Sequence, residues 1–117
     1  MELSFRLADP ADAELLGRLN FQLIRDEGHR NPMSEPELAD RMREWLRSEE
    51  YQAAIFFLEA DLIAYLLWRK EADGQVYLRQ FFVARDWRGR GIGKTAFHII
   101  CGGVVAGRYQ DQGGRAL

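Results

Sequence analysis

The sequence has little of several features that would narrow its class at once. It contains one cysteine and three prolines in 117 residues, and its formal net charge is only -2. A single cysteine excludes an internal disulfide and is typical of a protein kept in a reducing compartment, so we predict a cytoplasmic location. A charge so close to zero lacks the basic footprint of a nucleic-acid-binding or membrane-surface protein, and we expect neither partner.

Long apolar segments are also missing. The longest apolar run, residues 62–68, is far shorter than the ~20 residues that span a bilayer, and no basic stretch followed by an apolar one opens the chain. We therefore expect neither a membrane anchor nor a secretion signal. What remains, 47% hydrophobic and 29% charged residues, is the ordinary composition of one globular domain.

Hydrophobic periodicity predicts the element order β-α-α-β-β-β-α. Asp9 followed by Pro10 is typical of a helix start, and Ser34 with Glu37 three residues later has the pattern of a capping box. The predicted strands cover residues 3–7, 51–58, 62–68 and 76–83, and the predicted helices cover residues 11–26, 34–47 and about 90–101. The later strands are apolar on both faces, so we expect an α/β fold in which helices cover both sides of a mixed sheet.

The end of the chain has a different character. Residues 106–117 are rich in Gln and Gly and show little apolar periodicity. We therefore assign residues 1–105 to one domain and residues 106–117 to an atypical tail.

The segment "WRGRGIGKTAF", residues 87–97, is the strongest motif in the chain. Its glycines lead into a predicted helix, an arrangement that commonly binds phosphate. A P-loop needs Gly where Arg88 stands, and a dinucleotide-binding fingerprint needs Gly where Lys94 stands. A P-loop also needs a later strand with a carboxylate for Mg²⁺, and a dinucleotide site needs a ribose-binding acid and a second βαβ unit, none of which the residues after the motif predict. We reject both, and with them a nucleotide-hydrolysing function.

The pattern that remains is R-x-x-G-x-G, from Arg88 to Gly93, after a strand and before a helix. This pattern suits a pyrophosphate such as that of coenzyme A. Its glycines expose backbone N–H groups at the positive end of a helix dipole, and three side chains add positive charge: Arg88, Arg90 and Lys94. The predicted ligand contacts are Arg88, Gly89, Arg90, Gly91, Ile92, Gly93, Lys94 and Thr95.

Residues 1–101 resemble the GCN5-related N-acetyltransferase (GNAT) superfamily. The resemblance is based on this motif, on the order of the elements and on the aromatic strand that ends in Phe81-Phe82-Val83. The resemblance implies an N-acetyltransferase that uses acetyl-CoA as co-substrate and a primary amine, on a small molecule or a peptide, as acceptor. It also implies main-chain contacts from Phe82 and Val83 to the pantetheine, with one N–H polarising the thioester carbonyl. The amine is expected to attack the thioester directly once it is deprotonated.

The general base is not evident from the motif. Many members of the superfamily use a carboxylate on the strand before it, where this chain has Arg79 and Gln80, neither of which is a plausible base. In the superfamily the first inter-helix loop borders the acceptor site, so Glu27 and His29 are the predicted catalytic residues. The alternative is that His29 is an ordinary exposed loop histidine and Glu27 an ordinary glutamate at a helix end.

Other candidate residues receive structural interpretations. We interpret Tyr65 and Tyr77 as core aromatics rather than as catalytic acids. His98 and Cys101 lie three residues apart on the last predicted helix, but two ligands do not make a metal site. We therefore expect core packing there and no metal.

The superfamily normally continues with one more strand beside residues 76–83 and then a helix that often carries a tyrosine acid. This chain has neither in recognisable form, and Tyr109 lies too early for that role. The alternative to an active enzyme is therefore a CoA-binding or self-associating domain with an impaired site. Because the outer edge of strand 76–83 would be unpaired, we also predict a homodimer that covers this edge.

Overall fold

The computed structural model describes residues 3–28 and 30–105, and it confirms the predicted order of elements. Four strands form one sheet in the order β1-β2-β3-β4, with α1 and α2 inserted between β1 and β2. The α/β fold class is confirmed, and all pairings between the described strands are antiparallel. The strands are β1 (Ser4–Leu7), β2 (Gln52–Leu58), β3 (Asp61–Lys70) and β4 (Val76–Val83), and the helices are α1 (Ala13–Asp26), α2 (Glu35–Ser48) and α3 (Ile92–Ile99).

Local capping explains where the first two helices begin. Asp9 Oδ1 accepts the backbone N–H of Ala11 at 2.8 Å and caps a short 3₁₀ turn, Pro10–Asp12. Because this turn comes first, α1 begins two residues after its predicted start. Ser34 and Glu37 form the predicted capping box, because each side chain accepts the backbone N–H of the other, at 3.3 and 2.8 Å. Such reciprocal bonds satisfy N–H groups that the helix itself cannot, and they define the start of α2.

The sheet has an apolar core on each of its faces. Helices α1 and α2 cover one face, and α3 covers the other. Strands β2 and β3 contribute to both cores, as their uninterrupted apolar sequences predict. The first core includes Leu16, Met42, Tyr51, Ile55, Tyr65, Leu67 and Phe82, and the second includes Phe56, Ile63, Leu66, Trp68, Ile92 and Ile100.

β4 differs from the prediction that the later strands are buried on both faces. Its residues alternate between exposed and partly buried, and Tyr77 and Phe81 keep 45% and 39% of their surface exposed. Tyr77 is therefore not the core aromatic that we expected, whereas Tyr65 is fully buried. The reason is position: β4 is the outermost strand of the described sheet, and Phe82 is its one residue buried by the helices.

The chain continues after α3 as a π-helical turn, Ile100–Val105. The predicted tail, residues 106–117 with Tyr109, lies outside the described residues, so the domain boundary at residue 105 stays a prediction. In the described ranges, none of the helices combines the length and the apolarity that crossing a membrane requires.

Candidate active site

Two glycines shape the loop between β4 and α3. Gly89 and Gly91 have φ angles of 77° and 75°, a left-handed conformation that costs other residues roughly 1–2 kcal/mol. Gly91 is also the N-cap of α3, and no side chain of the described residues caps that helix. The first N–H groups of α3 therefore point into the loop without a side-chain acceptor. Unpaired N–H groups at the positive end of a helix dipole are of the kind that favours an anion.

Gly93 has a different role in the loop, which is packing. A Cβ atom built at this position would lie 1.9 Å from Phe81 Cζ, far inside van der Waals contact. The Phe81 ring comes from β4 and lies against the first turn of α3. Two glycines of the motif thus set the backbone of the loop, and the third allows an aromatic ring to approach it.

A cavity of about 520 Å³ opens beside this loop, a volume typical of small-molecule sites. It brings Glu27, at the end of α1, together with most of the predicted loop residues. The predicted contacts Phe82, Arg90 and Thr95 do not line it. The lining residues are Leu23, Asp26, Glu27, Phe81, Val83, Trp87, Arg88, Gly89, Gly91, Ile92, Gly93 and Lys94.

Arg88 reaches across this cavity to the end of α1. Its Nη2 donates to Asp26 Oδ2 at 2.6 Å, and its Nε donates to the Val83 carbonyl at 2.8 Å. Arg85 Nη2 donates to the other carboxylate oxygen of Asp26 at 3.0 Å. These contacts, above all the hydrogen bond from Arg88, hold the pKa of Asp26 below its usual range. Arg88 therefore ties the loop to α1, a structural role that the motif did not predict.

The other two cations of the motif are placed differently. The Arg90 guanidinium lies 5.0 Å from the centroid of the Trp87 ring, a cation–π distance, and it does not line the cavity. Lys94 lines the cavity, is exposed and pairs with no carboxylate among the described residues. Lys94 is therefore the cation of the motif that is best placed for an anionic ligand.

The register of β4 shows which of its main-chain groups face outward. Directly after β4, Ala84 N–H donates to the carbonyl of Ile63 in β3 at 2.7 Å, one position beyond the pair Ala64 and Val83, so this position is a hydrogen-bonded one. Because hydrogen-bonded and non-hydrogen-bonded pairs alternate in antiparallel strands, the main chain of Phe82 bonds to β3. The main-chain groups of Phe81 and Val83 point away from β3. The register therefore favours Phe81 and Val83, and not Phe82, for contacts at the open edge.

A second cavity, of about 720 Å³, adjoins the first. The two share Leu23, Glu27 and Phe81, so Glu27 stands at their boundary. His29, the other predicted catalytic residue, lies outside the described residues. The remaining residues that line the second cavity are Asn20, Ile24, Arg30, Asn31, Pro32, Arg41, Tyr77, Leu78, Arg79 and Gln80.

A buried polar network runs along one side of the second cavity. Asn20 is only 1% exposed, and its Oδ1 accepts from Arg41 Nη2 at 3.2 Å and from Gln80 Nε2 at 3.3 Å. The Tyr65 hydroxyl donates to Gln80 Oε1 at 2.8 Å. Burial raises the pKa of the Tyr65 phenol far above its usual range, so Tyr65 stays neutral and holds the Gln80 side chain in place.

The described residues contain no cluster of three or more His, Cys, Asp or Glu side chains that could hold a metal ion. His98 is exposed and Cys101 is partly buried, so this pair is not part of a common core as we had interpreted it. Burial raises the pKa of the Cys101 thiol, which favours its neutral form.

Several residues that line the two cavities were not identified from the sequence. Asn20 carried a usable signal, because it is a polar residue on the apolar stripe of α1 between Leu16 and Leu23. Asp26 and Arg41 had no such signal in the sequence. Asp26 lies on α1, far along the chain from Arg88, to which it bonds, and Arg41 lies on α2, far along the chain from the β4 residues that it faces. No spacing in the sequence shows that such residues meet.

Comparisons with known proteins agree with the fold described above. The family model for the acetyltransferase (GNAT) family matches residues 18–102, while no curated protein matches the chain. A structure described as a predicted acetyltransferase with acetyl-CoA, from Clostridium acetobutylicum, is 17% identical with a TM-score of 0.71, covering 93% of this chain and 78% of that one. An acetyltransferase from Thermus thermophilus is 22% identical with a TM-score of 0.69, covering 88% and 70%. An aminoglycoside acetyltransferase from an uncultured soil metagenomic sample, in complex with trehalose, is 15% identical with a TM-score of 0.67, covering 92% and 73%.

Proposed function

The chain belongs to the acetyltransferase (GNAT) family, and from that premise we propose that it transfers an acetyl group from acetyl-CoA to a primary amine by direct attack. The resemblance inferred from the glycine motif is confirmed by the family match, and acetyl transfer is the general activity of that family. The observation that carries the finer proposal is the meeting of two cavities at Glu27. One cavity contains the glycine loop, and the other is lined by polar side chains that suit an acceptor.

The residues of the first cavity fit a pyrophosphate. Cβ positions at Gly89 and Gly91 face open space, so the N–H groups of the loop are accessible to a ligand at close range. The N–H groups at the start of α3 and the ammonium group of Lys94 supply positive charge. Acetyl-CoA supplies the acetyl group as a thioester, and we propose that these residues hold its phosphates.

The outer edge of β4 is suited to orient the thioester. The N–H groups of Phe81 and Val83 point away from β3, and a peptide-like chain can pair with them as an added strand does. The Val83 carbonyl already accepts from Arg88 Nε, so its N–H is the group available in the described structure. An N–H at this position stabilises the negative charge that develops on the thioester oxygen.

Glu27 is the residue that we propose as the general base. It follows the last residue of α1, is exposed and lines both cavities. A carboxylate at this boundary can accept a proton from the acceptor ammonium, directly or through one water molecule. His29, two residues further along the chain, stays the second candidate.

A CoA-binding or self-associating domain without turnover is the second candidate function. β4 is the outermost described strand and exposes Tyr77 and Phe81, so a second copy of the chain has an edge with which it can pair. The predicted homodimer would then use the same main-chain groups of Phe81 and Val83 as the pantetheine. Acetyl-CoA should therefore dissociate such a dimer, which light scattering measures.

Three expectations drawn from composition stay predictions. They are the cytoplasmic location, the absence of nucleic-acid and membrane partners, and the assignment of residues 1–105 to one domain. Each depends on the single cysteine, the small net charge or the loss of periodicity after residue 105.

Calorimetry with CoA and acetyl-CoA consumption over a panel of amines test the proposed function. We expect CoA to bind and to raise the melting temperature, because a ligand that binds only the native state stabilises it. Lys94→Gln should weaken this binding and flatten its salt dependence, whereas Arg90→Gln, outside the cavity, should change neither. No CoA binding at millimolar ligand contradicts the proposal. CoA binding without turnover of any amine favours the second candidate function.

A further inference from the structure

The second cavity carries a local excess of positive charge. Three arginines, Arg30, Arg41 and Arg79, line it against Glu27, the one carboxylate among its described lining residues. The whole chain has a net charge of -2, so the excess belongs to this cavity and not to the protein in general. An excess of one sign in a concave site raises the local concentration of ligands of the opposite sign.

Arg41 and Arg79 are held against the same aromatic ring without a carboxylate partner among the described residues. Their guanidinium carbons lie 4.5 and 4.9 Å from the centroid of the Trp45 ring. Burial, and then the charge of Arg79, lower the pKa of Arg41. Arg6 shows the contrast, since it is also partly buried but forms a two-point ion pair with Asp12 at 2.7 Å. Two neighbouring cations without a counter-ion repel each other, and an anion bound beside them removes that repulsion.

The two guanidinium groups keep unused N–H donors, although Arg79 Nη1 already donates to the Tyr51 hydroxyl at 3.4 Å. A guanidinium that lies over an aromatic ring can still bind a carboxylate or a phosphate with its N–H edge. Arg41 Nη2 donates to Asn20 Oδ1, but the buried Arg41 Nε has no hydrogen-bond partner among the described residues. A buried donor without a partner is destabilising, so the charge and donors of Arg41 are only partly compensated within the protein.

We propose that the second cavity binds the acceptor through an anionic group, a carboxylate or a phosphate, held by Arg41 and Arg79. The inference rests on the proposed function and names its acceptor class, a small primary amine that also carries an anion. Because Glu27 stands at the boundary with the first cavity, an acceptor anchored at the arginines extends its amine toward the base and the thioester. A polycationic amine meets three arginines in the same space and is disfavoured.

Four small amines separate the effect of charge from the effect of size. They are β-alanine with a carboxylate, phosphoethanolamine with a phosphate, neutral propylamine, and putrescine with a second ammonium group. We expect β-alanine or phosphoethanolamine to exceed propylamine by about tenfold or more in kcat/KM, as charge-assisted hydrogen bonds allow, and putrescine to be the poorest substrate. The preferred anionic amine identifies the group that the arginines bind. Calorimetry of the same amines, with and without CoA, measures binding independently of turnover.

Arg79→Met is the principal variant, because Arg79 is exposed whereas Arg41 is partly buried. The KM for the preferred anionic amine should rise about tenfold more than the KM for propylamine, so that the preference for the anionic amine is lost. Arg41→Met should act in the same direction and provides a second, independent test. Arg43→Met is the matched control, since Arg43 lies on the same helix as Arg41 but pairs with Asp40 outside the cavity.

The outcomes separate this inference from the proposed function. If propylamine or putrescine binds and reacts as well as the anionic amines, or if Arg79→Met and Arg41→Met both keep the anionic preference, the inference is wrong. Absence of β-alanine and phosphoethanolamine binding also overturns it. Binding of an anionic amine without turnover of any amine supports the anionic cavity and contradicts the enzymatic proposal.

Discussion

The two cavities that meet at Glu27 are built in opposite ways. The first depends mainly on one continuous segment, in which Gly89 and Gly91 set the backbone and the start of α3 offers its N–H groups. The second is lined by side chains from α1, α2, the loop between them and β4, among them Asn20 and Arg41. A site made by the backbone of one segment leaves a pattern in the sequence. A site made by side chains of distant elements leaves almost none.

The largest effect is expected at the boundary between the two cavities. Glu27→Gln keeps the size of the side chain but removes the base, so we expect turnover to fall by about 100-fold or more while CoA affinity changes little. Steady-state kinetics and calorimetry measure the two quantities, with Glu14→Gln on the exposed first turn of α1 as the control. Normal turnover in Glu27→Gln, combined with a loss in His29→Ala, would move the base to His29.

The second cavity should respond to loss of its buried network. Asn20→Leu removes the acceptor that Arg41 and Gln80 share, and donors left without a partner cost about 1–3 kcal/mol. Chemical denaturation should show a lower midpoint with an unchanged slope. The folded variant should still bind CoA, because the glycine loop does not use this network. A free energy of unfolding equal to that of the parent would mean that the network does not support the cavity.

The first cavity should respond to a change in backbone freedom. Gly91→Ala imposes a left-handed φ on a residue with a Cβ atom, which costs about 1–2 kcal/mol although the Cβ itself would meet open space. Gly102→Ala is the matched control, since Gly102 also faces open space but has no positive φ. Thermal unfolding of the two variants gives the comparison. Equal stabilities would show that Gly91 is not needed for the conformation of the loop.

The smallest effect concerns the ion pair beside the first cavity. Arg88 lowers the pKa of Asp26, so the unfolded chain binds this proton more tightly than the folded protein does. The stabilising contribution is therefore present above the ordinary carboxyl pKa of about 4 and is lost as the pH falls through the lowered value. Asp26→Asn cannot titrate, so its melting temperature should fall less than that of the parent protein as the pH is lowered below about 4. Melting temperatures that fall in parallel for the parent and the variant would show that the pair contributes nothing measurable.

The fold was predictable wherever its signals are local. The capping box of Ser34 and Glu37 and the bounds of β4 (Val76–Val83) agree with the structure, because caps and strand periodicity act over a few residues. The burial of β4 was not predictable in the same way. Tyr77 is apolar enough for a core, but its exposure depends on β4 being the outermost described strand, which is a property of the whole sheet.

The candidate site divides along the same line. Local sequence is enough to place a glycine loop before a helix N-terminus between Arg88 and Lys94, since glycine conformations and a helix start arise within a few residues. That this loop binds an anion stays a prediction. Packing of α1 and α2 on the sheet brings Glu27 to the boundary of two cavities, joins Asp26 to Arg88 and places Arg41 beside Arg79. These contacts join residues that are far apart in the chain. Their meeting depends on how the elements pack together, and no pattern within one segment can encode it.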